Sequence, residues 1–180
     1  MIVNILLIIA ALLVLILVAA LFVSKTYRVE SEIIINRPKE EVFDYVRYLR
    51  NQDFYSKWVM SDPDKKTDFR GTDGSIGFIY AWDSENKSAG KGEQEIVDIV
   101  EGKNVDIEIR FEKPFKGVAQ TRLNTEGVSS DQTKVNWSME GTQKYPMNLM
   151  TLFMKKMLVK DMDTSLTTLK RILEKTYSHS

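Results

Sequence analysis

"INRPKEEVFDYV" (residues 35–46) decides how the rest of the chain is read. Ile33, Ile34 and Ile35 end a strand-like run, and Asn36, Arg37 and Pro38 break it. A short acidic, amphipathic helix is predicted to begin at once. Pro38 suits a first helical turn, where its missing N–H is not needed. Glu40 and Glu41 suit the positive N-terminal end of the helix dipole. Val42, Val46 and Leu49 recur at helical spacing, with Phe43 and Tyr45 beside them. A second short helical piece is predicted over 49–57. A polar loop, "SDPDKKTD", follows with turn chemistry at Asp62–Pro63. The strand before the break, "TYRVESEIII", therefore needs partners from further along.

Those partners are predicted in a long meander. "DFRG", "IGFIYAWDS", "EQEIVDIV", "VDIEIRFE", "KGVAQTRLNTEG" and "TKVNWSMEG" read as strands, separated by turns such as "TDGS", "ENKSAGKG" and "EGKN". In "IGFIYAWDS" Ile76, Phe78, Tyr80 and Trp82 share one face. In "VDIEIRFE" Val105, Ile107, Ile109 and Phe111 face one way, while Asp106, Glu108, Arg110 and Glu112 face the other. That alternation marks an antiparallel strand wet on one side. Val135, Trp137 and Met139 point inward in the last strand. Loops this short make sequential strands antiparallel neighbours.

From about Leu149 to Tyr177 there is no Gly or Pro. Leu152, Met157 or Leu158, Met162, Leu166, Leu169 and Leu173 form a stripe near helical period. A helix of roughly 25 residues spans nearly 40 Å and can cover the apolar face of the sheet. The expected architecture is α+β. A twisted antiparallel sheet of about seven strands wraps round a long C-terminal helix, with two short helices after strand 1.

Residues 2–23, "IVNILLIIAALLVLILVAALFV", are apolar except for Asn4. About 20 such residues suffice to cross a bilayer as a helix. A cleaved signal peptide is the rival reading. It wants a basic start, a shorter apolar core and a small-residue cleavage motif, and this stretch lacks a basic start and a clean A-x-A. The expected division is a transmembrane anchor over 1–24 and a domain over 25–180, pressed against the membrane because no linker separates them. Lys25 and Arg28 follow the span, so the positive-inside rule places the domain in the cytoplasm of a single-pass protein. The 25 basic and 25 acidic residues balance. That argues against a nucleic-acid surface and gives no polybasic patch for anionic lipids. With no cysteine, a disulfide framework and thiolate chemistry are excluded.

"INRPKEEVFDYV", Trp58, "GFIYAWDS", "GKGEQEIVDI", "FEKPFKGVA", "TKVNWSMEG", "MNLMTLFMKKMLVKD" and "SLTTLKRILE", taken in this order and spacing, resemble the START-like, Bet v 1-like helix-grip superfamily (SRPBCC). The nearest branch is the one related to polyketide cyclases and dehydrases. The resemblance covers about residues 27–177 and leaves out the N-terminal anchor. It implies the helix-grip fold and a pocket between sheet and helix. The superfamily includes cyclases and dehydratases, lipid carriers, hormone receptors and co-chaperone-like members, so the resemblance names no single chemistry.

The residues point to binding more than to catalysis. The only histidine, His179, is one residue from the C-terminus, and no zinc motif or EF-hand spacing occurs. No cofactor or metal is expected. No serine lies in G-x-S-x-G, and the glycines of "GTDGSIG" and "GKGEQ" suit hairpin turns. Asp83, Glu85, Glu93 and Glu95 cluster at hairpin ends. As a pocket-mouth pair they would supply a general acid. As a solvated edge beside Lys87 and Lys91 they would not, and that is the reading favoured here. The strongest lead is apolar. Tyr80, Trp82, Phe111, Trp137 and Met139 fall on the inward sheet face. Met147, Met150, Phe153, Met154 and Met157 sit where the last helix begins. Methionine adapts to ligands of varied shape, and Tyr and Trp add polar handles.

The leading expectation is a membrane-anchored domain that binds a lipophilic small molecule or lipid, with Tyr80, Trp82, Phe111, Trp137, Met139, Met150, Phe153, Met154 and Met157 as the site. A cyclase- or dehydratase-like enzyme using Tyr80 or a mouth carboxylate is the second reading. A partner-binding module with a filled pocket is the third, its protein partner unknown. The segment "PMNLMTLFMKKM" (146–157) is either the first turns of a buried helix or a lip that dips into the membrane interface.

Overall fold

A computed structural model describes residues 2–86 and 89–175. Helix α1 (Ile2–Phe22) comes first, followed by β1 (Thr26–Ile35) and α2 (Lys39–Val46). A 3-10 turn at Leu49–Asn51 leads into the short α3 (Gln52–Tyr55), and another lies at Val59–Ser61. Six strands follow: β2 (Lys66–Arg70), β3 (Ile79–Asp83), β4 (Lys91–Val100), β5 (Asn104–Lys113), β6 (Gly117–Ser129) and β7 (Gln132–Thr142). A 3-10 turn at Met147–Met150 opens α4 (Thr151–Lys175). The fold is the expected helix grip. Its seven strands run β1-β7-β6-β5-β4-β3-β2, antiparallel at every pairing. The last strand closes on the first, which accounts for the early isolated strand.

The stretch 35–46 is a clasp. The Asn36 backbone N–H donates to Glu174 Oε1 at 2.7 Å, and Arg37 Nε and Nη2 donate to the carbonyls of Leu173 and Glu174 at 3.0 and 3.3 Å. Thr133 Oγ1 donates to the Arg37 carbonyl at 2.7 Å. The break between β1 and α2 thus caps the C-terminal end of α4, where a cation and hydrogen-bond donors are favoured. Val42, Phe43 and Val46 of α2 and the following Leu49 are sealed in the core with Ile96, Val105, Ile107, Leu123 and Val135. Burying each large apolar side chain stabilises by about 1.5–3 kcal/mol.

From α4 the stripe Leu158, Met162, Leu166, Leu169 and Leu173 is buried. Leu152, also read into that stripe, is exposed. It lies in the first turn, before the helix comes under the sheet. Ile76, read onto the inward face of β3, is exposed as well. It belongs to the turn ahead of the strand, where alternation does not hold. His179 and Lys87 lie outside the described residues.

The outer sheet face is charged. Arg110 donates to Glu93, Glu95 and Glu108 at 2.9, 2.7 and 2.7 Å, and Arg70 pairs with Glu93 from β2. Partial burial pushes the Glu93 carboxyl up, but hydrogen bonds from Arg110 and Arg70 outweigh it and hold it below the ordinary carboxylate value. The hydrogen bond from Arg110 does the same for Glu108. Depressed carboxylates stabilise the fold fully above their unfolded pKa, and that contribution is lost as pH falls on through their lower folded pKa. The domain is expected to lose stability progressively below about pH 4.5. Arg110→Met is expected to flatten that acid limb. Urea midpoints measured at a series of pH values check both; an unchanged limb in the variant would remove the Arg110 cluster as the cause.

The C-terminal end of α1 is docked on the domain. Asn148 is fully buried, and its Nδ2 donates to the carbonyls of Ala20 and Val23 at 2.7 and 2.8 Å. Tyr145 Oη donates to the Leu17 carbonyl at 3.3 Å. Helix ends leave such carbonyls without intrahelical partners, and one buried amide here serves two of them. The rest of α1 is exposed apart from Ala20.

Candidate functional site

Between the first half of α4 and the β3–β7 part of the sheet lies a cavity of about 300 Å³. Pockets of this size and above hold small ligands. Its walls are mainly aromatic and thioether side chains. On the sheet side stand Trp82, Phe111, Trp137 and Met139; on the helix side stand Met147, Met150, Met154 and Leu158. Trp58 closes the flank, packed edge-on against Trp137 with ring centroids 5.5 Å apart.

Seven of the nine residues singled out from sequence line this cavity: Tyr80, Trp82, Phe111, Trp137, Met139, Met150 and Met154. Phe153 and Met157 do not line it, and both are largely exposed. Met150, Met154 and Leu158 repeat every four residues and face inward. Phe153 and Met157 lie one step round the helix, on its outer side. Helical spacing defines a stripe but not its edges.

Local sequence shapes the walls. Gly92 lies opposite Trp82 in the β3–β4 pairing. A Cβ there would come 2.5 Å from the Arg110 carbonyl and 2.8 Å from the Trp82 ring. Glycine lets the indole lie flat against β4. The Trp82 Nε1–H donates to the Ala89 carbonyl at 3.0 Å, and its ring meets Phe111 edge-on. Gly141 likewise makes room for Tyr27, whose Oη would sit 2.6 Å from an added Cβ.

A polar group that the loop reading of "SDPDKKTD" missed reaches the cavity. The Tyr80 Oη donates to Asp53 Oδ1 at 2.7 Å, and Lys65 Nζ donates to the same oxygen at 3.2 Å. Burial first, and then this bond to Asp53, push the Tyr80 phenol far above its ordinary pKa. It stays protonated with its proton committed to Asp53. Gln52, Ser56, Gln94 and Thr121 also line the cavity. Gln94 and Thr121 had a sequence signal, since Gln94 alternates inward with Ile96 and Thr121 with Ala119 and Leu123.

The carboxylates considered as a mouth pair turn outward. Glu93 and Glu95 bind Arg110 on the outer face, and Asp83 lies 3.5 Å from Lys91 Nζ. Among the described residues no group of His, Cys, Asp and Glu is arranged to hold a metal.

The mouth is mainly apolar, with the exposed Lys113 and Lys116 at its edge. Phe115, Val118, Met147 and Met150 all line the cavity and are each more than a third exposed. Met147 and Met150 flank Asn148, the residue that holds α1.

Comparison with known proteins agrees with this architecture. Residues 26–174 match the family model described as polyketide cyclase / dehydrase and lipid transport. Norcoclaurine synthase from Thalictrum flavum, solved with dopamine and hydroxybenzaldehyde, superposes with a TM-score of 0.64 at 8% identity, over 85% of this chain and 89% of that one. The protein XoxI from Bacillus cereus gives 0.62 at 12% identity, over 84% and 99%. Ara h 8.0201 gives 0.59 at 14% identity, over 83% and 99%. Identities this low carry the shared fold alone. No curated protein matches the sequence.

Proposed function

The chain belongs to the polyketide cyclase / dehydrase and lipid transport family, and from that premise we propose that it is a membrane-tethered binding protein for a lipophilic small molecule or lipid. The observation that carries this reading is the 300 Å³ cavity with aromatic and methionine walls and a mainly apolar, exposed mouth beside α1. Exposed apolar surface of this kind marks an interaction site. Tyr80, Trp82, Phe111, Trp137, Met139, Met150 and Met154 form the proposed wall. Phe153 and Met157 are reassigned to the outer rim, where Lys155 and Lys156 accompany them.

The tether supports the same reading. Helix α1 has 21 residues and no charge, so it spans about 31 Å at 1.5 Å per residue. That matches the hydrocarbon core of a bilayer, about 30 Å. Tyr145 grips α1 at Leu17, five residues before its end, or about 7.5 Å along the helix. With α1 in a membrane, the cavity mouth sits at the interface, where a lipophile is concentrated. Lys25 and Arg28 favour a cytoplasmic domain. The committed Tyr80 proton weighs against the cyclase-like alternative at that position, and the open cavity weighs against a fully packed partner-binding module.

Photo-crosslinking in membranes tests this. A diazirine-bearing alkane is added to vesicles holding the full-length protein and irradiated, and the labelled peptides are mapped. Labels are expected on the peptides carrying Trp137–Met139 and Met150–Met154 as well as on α1. Labelling confined to α1 and the outer rim would overturn the cavity reading.

A further inference from the structure

Two buried amides meet in the cavity. Gln52 on α3 is 3% exposed and Gln94 on β4 is 4% exposed. Gln94 Nε2 donates to Gln52 Oε1 at 3.1 Å, and both residues line the cavity. That bond uses half of what the two facing amide edges offer. Among the described residues, neither Gln52 Nε2 nor Gln94 Oε1 has a protein partner, and neither is sealed away from the cavity. Flipping both amides reverses the bond and leaves Gln52 Oε1 and Gln94 Nε2 instead. Either orientation leaves one donor and one acceptor together, and a buried polar edge in that state carries a desolvation cost until a partner answers it.

Most neighbouring polar groups are engaged; the Ser56 hydroxyl, one turn after Gln52, also lines the cavity without a partner among the described residues and can donate or accept. Trp137 Nε1 donates to Thr121 Oγ1, and Thr121 Oγ1 donates to the Ser138 carbonyl. Tyr80 and Lys65 meet on Asp53. The amide edge is also deep. Beyond Tyr80, Gln94, Ile109, Thr121 and Trp137, the next inward residues are Phe78, just ahead of β3, and Ile96, Ile107, Leu123 and Val135 on β4 to β7. All five are at most 1% exposed. The cavity therefore has a polar floor and a mainly apolar mouth whose only lining cations among the described residues, Lys113 and Lys116, are exposed.

Given the lipophile-binding reading, on which this depends, we propose that the Gln52–Gln94 edge seats the hydroxyl of an uncharged amphiphile whose hydrocarbon runs up past Met154 and Met150 to the mouth. A hydroxyl donates once and accepts, which answers one acceptor and one donor. An ionised carboxylate only accepts and an ammonium only donates, so each would set like polarity against one of the two amides. The Lys65 cation is already paired with Asp53 and leaves no net positive charge on the floor to hold an anion.

The test uses the full-length protein in detergent micelles and three probes with a terminal bromine: bromododecane, bromododecanol and bromododecanoate. All three tryptophans of the chain, Trp58, Trp82 and Trp137, line the cavity, so contact quenching by bromine reports occupancy. The alcohol is expected to half-quench at a concentration about tenfold lower than the alkane or the carboxylate, the scale of one well-made buried hydrogen bond. The double variant Gln52→Leu/Gln94→Leu removes both amides at similar volume. It should keep quenching by the alkane while bringing alcohol and alkane within about twofold. A carboxylate that binds as well as the alcohol, or an alcohol preference that survives in the double variant, overturns the head-group assignment. Failure of all three probes, bromododecane included, removes the cavity reading itself.

Discussion

Replacing Trp137 by alanine is expected to cost about 3–5 kcal/mol of stability. The indole is almost fully buried and forms part of the wall between cavity and core. Its ring meets Trp58 and Tyr55 edge-on, at centroid distances of 5.5 and 6.4 Å, and its Nε1–H donates to Thr121 at 2.7 Å. Truncation would join the space of the lost ring to the existing cavity, and rigid β-sheet neighbours cannot collapse into it. Trp137→Phe keeps an aromatic ring and loses the N–H, so its cost should be smaller, about 1–2 kcal/mol. Thermal or urea unfolding of the two variants separates packing from hydrogen bonding. A loss below about 1 kcal/mol in the alanine variant would mean that the ring is not a structural wall.

Removing residues 2–23 is expected to move the protein from the membrane pellet to the soluble fraction. An uncharged helix of 21 residues inserts with an affinity that a peripheral contact does not match. The full-length chain should resist alkaline extraction, and its intact mass should include the N-terminal segment. The shortened chain loses the Ala20 and Val23 carbonyls that Asn148 binds. It should then be less stable and more prone to associate through its exposed Met147–Met150 rim. Expression of the whole sequence that yields an intact mass starting near Ser24 would show a cleaved signal instead, and would contradict the tether.

The fold was legible because its signals are periodic. Alternation in "VDIEIRFE" and the long helix without Gly or Pro state their buried faces directly, and "NRP" marks the break that became a clasp. The site was legible only where those periods reach it. Trp82, Phe111, Trp137 and Met139 follow from the two-residue strand period. Phe153 and Met157 show its limit on a helix, because a stripe of apolar residues does not say how much of it the sheet covers. Asp53 and Lys65 come together from a short helix and a loop separated by 12 positions, and no local pattern reports a meeting of that kind. The Asn148 contact with α1 spans more than 120 positions. Gln94 had its signal, an inward slot between Gly92 and Ile96. A polar residue in such a slot needs a partner, found in the protein at Thr121 and left open at the Gln94 oxygen.

The proposed function requires the cavity to hold a lipophile. Native mass spectrometry of the full-length protein released from detergent, followed by organic extraction of what it carries, tests it most directly. One defined small molecule is expected near one-to-one stoichiometry, and it should be lost in a Met139→Trp variant that fills the cavity without unfolding the domain. A protein that is reproducibly empty, or one that carries the same molecule when the cavity is filled, would contradict it.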